Sequence, residues 1–222
     1  RFPVTNRQYL LFVEALAGRG APEAVAATQN LLLLMKQYNQ TPEQFRPRYW
    51  PGVRYRAGEG NYPVVGVTWY AATAFAWWVD AWLRVLGVLQ AGETVRLPTE
   101  AEWERAAAYP ITLPAGDTRA GRREYSWGDW PQLTKTSAGG ITGSIPANTN
   151  DSKIGGTSVV GIFPHGVAAC GAEELTGNVW EWCSTPKLDY PFKGEVVAES
   201  VYTQNKRVSS SYVLRGGSWN DY

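Results

Sequence analysis

The side chains best suited to nucleophilic or metal chemistry are few in this sequence. It contains one histidine, His165, and two cysteines, Cys170 and Cys183, among 222 residues. His165 and Cys170 stand five residues apart in a glycine-containing loop, where they could approach, but no oxyanion donor or orienting acid accompanies them. Two cysteines allow at most one bridge, which excludes a disulfide-based scaffold. The pattern leaves open whether the two thiols are bridged or free.

The rest of the composition describes a loop-rich domain held by large aromatic side chains. The chain has 11 Trp, 12 Tyr, 23 Gly and 14 Pro. Glycine and proline at this level predict many turns and long loops. Rigid aromatic side chains are well suited to hold such loops in place. A loop-rich domain fixed by tryptophans is a plausible binding scaffold.

The charge balance and hydropathy exclude some classes of partner. Lys and Arg (21) nearly equal Asp and Glu (20), so the net charge of +1 gives no reason to expect nucleic acid or a membrane surface. No segment reaches the roughly 18 apolar residues of a membrane helix. No signal-peptide pattern opens the sequence, and the cellular compartment is left open.

Helices are predicted in the first half of the chain, and ordered loops with short strands in the second. Thr5, Thr68 and Thr99 are placed to cap helices, the second of which runs to about Leu86. The region 21–46 is predicted to be a helical insert that packs on the outside, with a single helix over 21–38. Short strands are predicted at 178–183, 195–202 and 212–215.

Five segments, taken in order, resemble one known family. They are 3–9 (PVTNRQY), 62–69 (YPVVGVTW), 95–104 (VRLPTEAEWE), 175–182 (LTGNVWEW) and 214–219 (LRGGSW). Together they resemble the formylglycine-generating-enzyme (sulfatase-modifying-factor) family over almost the whole chain. The resemblance implies a single α+β domain with a C-type-lectin-like fold: a twisted antiparallel sheet, two main helices, long ordered loops and the helical insert. It also implies that the domain continues beyond residue 222.

Two catalytic branches of this family depend on metal ligands. The resemblance implies that the copper-dependent oxidases, which convert a substrate cysteine to formylglycine, bind Cu(I) through two cysteines just after the Gly-Gly-Ser-aromatic segment. Here Asp221 falls about where the first of them should be, and a carboxylate is a hard ligand that does not suit Cu(I). The sulfoxide synthases of ergothioneine biosynthesis use a three-histidine iron site, which a chain with only His165 cannot build.

The third branch is non-catalytic, and the sequence favours it. It includes the variable proteins of diversity-generating retroelements, whose variable region begins around the Arg-Gly-Gly-Ser-Trp segment. Asn220, Asp221 and Tyr222 have codons that interconvert at the first base of an adenine-start codon. Such side chains also combine rigid aromatic contact with adaptable hydrogen bonding.

The sequence therefore predicts a monomeric ligand-binding scaffold without catalytic residues or a required cofactor. Its ligand is expected to be a protein or a cell-surface molecule. The predicted contacts are Trp219, Asn220, Asp221 and Tyr222. Two alternatives stay open: a copper-dependent formylglycine-generating oxidase, and a non-catalytic accessory domain of a larger protein.

The resemblance also implies a possible structural calcium site at the 175–181 turn. In the family, backbone carbonyls, an asparagine and a glutamate hold this ion, which prefers hard oxygen ligands. The matching groups here are the side chains of Asn178 and Glu181 and the carbonyls of Leu175 and Val179. The alternative is that Asn178 caps the turn and Glu181 pairs with an arginine.

Overall fold

The computed structural model describes residues 1–37, 41–110, 121–129, 134–135, 141–142, 145–187 and 211–221. Helices occupy much of the first half of these ranges, and two antiparallel strand pairs lie in the second half. The helices are α1 (Asn6–Leu16), α2 (Pro22–Ala26), α3 (Gln29–Gln37), α4 (Trp69–Val85) and α5 (Glu100–Ala108). The strands are β1 (Thr134–Lys135), β2 (Ile141–Thr142), β3 (Glu181–Pro186) and β4 (Tyr212–Arg215). Short 3₁₀ segments lie at Pro42–Phe45 and Asn150–Ser152.

This element order confirms a mixed α+β domain. β1 pairs with β2 and β3 with β4, in both cases antiparallel. The lectin-like arrangement of a larger twisted sheet stays a prediction. In the described part of the chain no helix has both the length and the apolar character that crossing a bilayer requires.

Threonines begin α1, α4 and α5, as the sequence predicts. Each hydroxyl accepts a hydrogen bond from the backbone N–H three residues on, in the pairs Thr5–Gln8, Thr68–Ala71 and Thr99–Glu102. At the first and third caps the later side chain also accepts from the cap's own N–H, which completes a capping box. These contacts are local, and for that reason the sequence predicts them well.

The helix predicted over 21–38 is two helices, α2 and α3. The Thr28 hydroxyl donates to the carbonyl of Val25 at 2.7 Å. A threonine that bonds the preceding turn in this way competes with continued helical hydrogen bonding. The chain therefore turns between Ala26 and Gln29.

The helical insert contributes to the core instead of packing outside it. Trp78 of α4 is buried, and its Nε1 donates to the Ala24 carbonyl at 2.8 Å. Leu31 and Met35 of α3 are buried in the same cluster. The apolar face of the insert thus packs with α1 and α4 in one cluster.

Aromatic rings fill this first core. Tyr9, Phe12, Phe75 and Trp78 lie with ring centroids 5.2 to 5.8 Å apart. Edge-on and tilted contacts of this kind add to the stabilisation from burial. The Tyr9 hydroxyl donates to the Phe45 carbonyl at 2.8 Å, and burial raises the pKa of Tyr9 above its ordinary value.

A second core joins α5 to the β3–β4 pair. Its buried members are Trp103, Ala107, Ala168, Leu175 and Cys183. The predicted strand at 212–215 is confirmed as β4, whereas the strand predicted at 195–202 lies outside the described residues.

The strand predicted at 178–183 begins three residues late, at Glu181. Asn178 has φ 60° and Gly177 has φ 79°. Both angles belong to the left-handed region, which a strand cannot contain. The tight turn at these two residues therefore delays the start of β3.

Candidate functional site

The C-terminal segment after β4 lies against the turn that precedes β3. The N–H of Gly177 donates to the Gly216 carbonyl at 2.8 Å, and that of Trp219 donates to the Asn178 carbonyl at 3.1 Å. The N–H of Asn150 donates to the Asp221 carbonyl at 3.0 Å. We call residues 174–181 and 216–221 together the turn site.

Glycine is required at position 177 of the turn site. A Cβ there would collide with the carbonyl oxygen of Asn148, and the residue has a left-handed φ. Glycine alone adopts this conformation without strain and leaves room for so close a backbone approach. Gly177 therefore allows the turn to sit directly on residue 148.

The side chain of Asn178 is the buried hub of the turn site. Its Oδ1 accepts from the N–H of Ser158 at 2.9 Å and from Asn148 Nδ2 at 3.3 Å. Its Nδ2 donates to Glu174 Oε2 at 2.8 Å and to the Ser158 carbonyl at 3.3 Å. A carboxamide offers two donors and one doubly accepting oxygen, so Asn178 is satisfied by protein contacts.

Two carboxyl groups flank this hub, and both have raised pKa values. Burial raises the pKa of Glu174, even though its carboxylate accepts hydrogen bonds from Asn178 and from the N–H of Gly161. Burial, together with the nearby Glu174 charge, raises the pKa of Glu181 to about 7. The Trp103 indole opposes this effect by donating to Glu181 Oε2 at 2.6 Å.

Two backbone carbonyls of the turn site lie close to Gly216. The carbonyl oxygens of Leu175 and Val179 each lie 3.7 Å from the place that a Cβ on Gly216 would occupy. Backbone carbonyls and carboxylates are the kinds of oxygen ligand that Ca²⁺ prefers. Within the described residues, no group of three or more His, Cys, Asp or Glu side chains could hold a metal ion.

These contacts divide the predicted calcium ligands into two kinds. Leu175, Val179 and Glu181 present oxygens that suit a hard cation. The side-chain oxygen of Asn178 already accepts hydrogen bonds from Ser158 and Asn148. Asn178 would therefore support such a site by holding the turn in place, and would not bind the ion itself. The calcium site stays a prediction.

Three of the four predicted ligand contacts, residues 219–221, lie within the turn site. Trp219 is half-buried and Asn220 is exposed, whereas Tyr222 lies outside the described residues. The Asp221 carboxylate accepts from the N–H and the hydroxyl of Ser218 at 2.7 and 2.6 Å. Asp221 therefore closes a local turn, and Asn220 is the most accessible of the three described side chains. Their role as ligand contacts stays a prediction.

The two cysteines are free and lie in different environments. Cys183 is fully buried in the second core, and burial raises its pKa to about 12, with the Glu100 charge adding to the shift. Cys170 is exposed, and its thiol donates to the Ala106 carbonyl at 3.4 Å. The structure does not bring Cys170 and His165 together in any hydrogen bond among the described residues.

An arginine–glutamate cluster beside the turn site was missed in the sequence. The Arg215 guanidinium lies 3.1 Å from Glu104 Oε2 and 3.8 Å from Glu100 Oε1, and 5.4 Å from the centre of the Trp103 ring. The sequence did contain an indication of this cluster, because positions 100, 103 and 104 share one face of a helix. Glu181 is paired with Arg215 in the β3–β4 register, but its carboxylate bonds to Trp103 instead.

Comparison with known proteins identifies the domain. The model of the sulfatase-modifying factor enzyme 1-like domain matches residues 1–222. The chain is 35% identical over 193 residues to a hercynine oxygenase of Mycobacterium tuberculosis, covering 82% of this chain and 37% of that protein. It is 36% identical over 167 residues to the formylglycine-generating enzyme of Streptomyces coelicolor, covering 73% and 43%. It is 29% identical over 239 residues to the formylglycine-generating enzyme of Thermomonospora curvata, covering 99% and 69%.

These similarities correct the main functional prediction. The non-catalytic variable-protein scaffold is wrong, because the relatives are named as oxygenases and formylglycine-generating enzymes and nothing in the comparisons supports a retroelement protein. The prediction depended on three consecutive residues, 220–222, whose types say little about chemistry elsewhere in the domain. The chain spans little more than a third of the length of the hercynine oxygenases that it matches. The chain belongs to the family of sulfatase-modifying factor enzyme 1-like domains.

Proposed function

We propose that this chain is the domain of an oxidase of the formylglycine-generating type. Its substrate would be a cysteine side chain within a polypeptide, which would be oxidised to the aldehyde by dioxygen with loss of its sulfur as hydrogen sulfide. An added thiol would supply the two further electrons that reduction of dioxygen to water requires. The observation that carries the proposal is the match to the Thermomonospora curvata enzyme. The aligned region includes 99% of this chain and 69% of that protein. A domain of this size corresponds to most of an enzyme that bears this activity in its name.

The turn site supports the proposal as a place for a substrate polypeptide. Two backbone hydrogen bonds hold the C-terminal segment on the turn, from Gly177 to Gly216 and from Trp219 to Asn178. The exposed side chain of Asn220 stands at its edge. A surface fixed in this way lowers the ordering cost of binding and of orienting a reacting group.

Copper is the metal that the family resemblance implies, and the cysteines of this chain do not fit it. Cu(I) binds thiolates, whereas Cys183 is a buried thiol whose pKa is raised to about 12. Cys170 lies at the surface, bonded to the Ala106 carbonyl, and the sequence has no third cysteine. We therefore assign no step to these thiols and none to a copper ion.

The direct test is aldehyde formation on a cysteine-containing peptide. The purified chain is incubated with the peptide and an added thiol in air, with Cu(I), Fe(II) or no added metal, and any aldehyde is captured with a hydroxylamine reagent and located by mass spectrometry. We expect aldehyde at the cysteine in air and none under argon. A peptide with serine in place of the cysteine is the matched control.

A second candidate is oxygenation of hercynine, which the 35% identity to hercynine oxygenases favours, although this chain supplies only one histidine and further iron ligands would have to come from outside these 222 residues. The same incubation with hercynine and a thiol, under isotopically labelled dioxygen, would reveal a labelled product. If this labelled product forms and the peptide gains no aldehyde, the function of the chain is oxygenation of hercynine and not formation of formylglycine. If neither product forms under any of these conditions, the chain alone is not an oxidase.

A further inference from the structure

The arginine–glutamate cluster lies between α5 and the C-terminal segment of the turn site. It consists of Arg215, the last residue of β4, and three residues of α5: Glu100, Trp103 and Glu104. Gly216, the first residue of the C-terminal segment, follows Arg215 directly. The cluster therefore holds the chain at the residue before it enters the turn site.

Two carboxylates and an indole surround the Arg215 guanidinium. It lies 3.1 Å from Glu104 Oε2, 3.8 Å from Glu100 Oε1 and 5.4 Å from the centre of the Trp103 ring, a distance at which an indole attracts a cation. The Arg215 side chain is 32% exposed, and those of Glu104 and Glu100 are 31% and 10% exposed. An isolated surface ion pair contributes little, whereas several charges in one network hold one another more firmly.

Trp103 contacts both segments of the turn site. A Cβ on Gly216 would lie 3.4 Å from Cζ2 of the Trp103 ring, so the C-terminal segment passes close against this indole. The φ angle of Gly216 is 95°, a conformation that other residues rarely adopt, and the chain changes direction at this contact. The Nε1 of Trp103 donates to Glu181 Oε2 at 2.6 Å, in the other segment. Helix α5 thus touches the two segments whose relative position defines the turn site.

The β3–β4 register would allow a simpler arrangement of these charges. Glu181 and Arg215 are direct partners across the two strands, and opposite charges in such positions can pair with each other. Instead, the guanidinium lies beside Glu104 and the Glu181 carboxylate accepts from Trp103. Both members of this cross-strand pair are thus bonded to α5, which ties α5, β3 and β4 together at the turn site.

The C-terminal segment itself has few side-chain contacts with the rest of the domain. Three backbone hydrogen bonds hold residues 216–221 on the turn and on Asn150. Among the described residues, the side chains of this segment hydrogen-bond only within it, through Ser218 and Asp221. Arg215 is therefore the nearest residue whose side chain anchors the segment to another element.

We propose that Arg215 is a positioning residue of the turn site: through Glu104 and Glu100 it fixes residues 216–221 in the place that cysteine oxidation requires. The effect on turnover rests on the proposed oxidase function, whereas the effect on the position of the segment does not. A displacement of about 1 Å in the reacting groups can lower a rate about a hundredfold. An anchor next to the segment therefore affects turnover without contacting the substrate.

Turnover of a cysteine peptide by matched arginine variants tests this role. Arg215→Gln is expected to lower kcat for aldehyde formation at least about tenfold, with a smaller change in KM. Arg122→Gln is the matched control, because Arg122 lies 3.4 Å from the same Glu104 carboxyl group but does not adjoin the turn site in sequence. Its kcat should stay unchanged. Equal losses in the two variants, or an unchanged kcat in Arg215→Gln, would overturn the proposal.

Two further variants separate positioning from loss of folding, and they carry the test if Arg215→Gln does not fold. Arg215→Lys keeps a positive charge without the guanidinium fork, so its kcat should lie between those of wild type and Arg215→Gln. Glu104→Gln should lower kcat as Arg215→Gln does, and the double variant should lose little more than either, since both changes break one contact. Losses that add in the double variant would contradict this shared contact.

A spin label on the C-terminal segment measures its mobility without turnover. The label is attached to Asn220→Cys in a Cys170→Ser background, and a label on Ala101→Cys, at an exposed position of α5, is the control. In electron paramagnetic resonance, Arg215→Gln should raise the mobility of the label at 220 and not at 101, and Arg122→Gln should change neither. No change at 220 would overturn the proposal. Greater mobility at 220 in a chain that forms no aldehyde would keep the anchoring role of Arg215 and remove the oxidase function.

Discussion

Glu181 and Glu174 are two carboxyl groups of the turn site whose pKa values are raised, chiefly by burial. Without a cation, both acids lose hydration on folding and gain little charge compensation in return. The Trp103 indole satisfies one oxygen of Glu181, but an indole carries no positive charge. A bound cation would favour the charged form of these acids, and the calcium site stays a prediction.

We accordingly predict that Ca²⁺ stabilises the folded chain and that Glu181→Gln removes this effect. A ligand at about 100 times its Kd contributes about 2.7 kcal/mol of folding free energy, which corresponds to a rise in Tm of roughly 5 °C for a domain of this size. Differential scanning fluorimetry in the presence of Ca²⁺, Mg²⁺ or EDTA measures this rise in Tm. Glu124→Gln, at an exposed position, is the control. A Tm that does not change when Ca²⁺ is added would contradict the predicted calcium site.

The two thiols are predicted to differ sharply in reactivity. The thiolate is the reactive form, and burial raises the pKa of Cys183 to about 12, whereas Cys170 is exposed. An Ellman titration of the native chain should therefore detect one thiol, and a titration in urea should detect two. Cys170→Ser should abolish the native signal and leave aldehyde formation unchanged. Rapid labelling of both thiols in the native chain would contradict the buried position of Cys183.

Among the secondary-structure elements, α5 begins with contacts between residues close in sequence, and these contacts stabilise its first turn. The Glu102 carboxylate accepts from the N–H of Thr99 at 2.8 Å and pairs with Arg96. The Arg96 hydrogen bonds, followed by the bond from Thr99, lower the pKa of Glu102 to about 2. Thr99, Arg96 and Glu102 lie within seven residues, so the capping box could be predicted from the sequence.

Glu102 should make the stability of the chain depend on pH. Its folded-state pKa, about 2, lies below the unfolded value of about 4.3. The stabilisation is therefore present above about pH 4.3 and is lost as pH falls towards 2. Because this side chain is 51% exposed, solvent screening limits the effect to about 1 kcal/mol.

Urea unfolding of Glu102→Gln against wild type should show this difference at pH 7 and its disappearance in acid. Glu124→Gln is again the exposed control. A difference that is the same at pH 7 and in acid would mean that the carboxylate charge is not what stabilises the start of α5.

Two elements were predicted less accurately. The sequence predicts one helix over 21–38, but the Thr28 hydroxyl bonds the Val25 carbonyl and the chain turns there. It also places the start of β3 three residues early, because the left-handed conformation of Asn178 depends on its contacts with residues 148 and 158. In both cases a competing hydrogen bond overrides the preference of the sequence.

Across the whole molecule, tryptophans connect the two cores. The Nε1 of Trp69 in α4 donates to the Cys183 carbonyl in β3 at 2.9 Å, and the Nε1 of Trp182 donates to the Val67 carbonyl at 3.2 Å. The N–H of Glu100 donates to the Thr185 hydroxyl at 2.8 Å. The two tryptophan contacts couple the helical core to the α5–β3–β4 core, and the Glu100–Thr185 bond ties α5 to β3 within the latter, so the described domain should unfold as one unit.

Trp69→Phe is predicted to weaken this coupling. The change keeps an aromatic ring that can stack on Tyr212, whose centre lies 3.7 Å away, but it leaves the Cys183 carbonyl without its donor. A buried acceptor left unpaired costs about 1–3 kcal/mol. Urea unfolding followed by far-UV circular dichroism and by tryptophan fluorescence measures both stability and cooperativity. Unchanged stability would show that water replaces the lost donor.

The sequence by itself determined the family, the mixed α+β class and the starts of α1, α4 and α5, because these depend on patterns and hydrogen bonds within a few residues. Only the tertiary structure decided where the chemistry could lie. It turned Asp221 back onto Ser218, enclosed Cys183 as a neutral thiol and gave Glu181 the neighbours that raise its pKa. The Asp221–Ser218 turn spans only three residues, whereas the other two outcomes depend on groups far apart in the sequence. The spacing of residues along a chain does not report such distant contacts, so the function inferred from the missing metal ligands and from residues 220–222 was wrong.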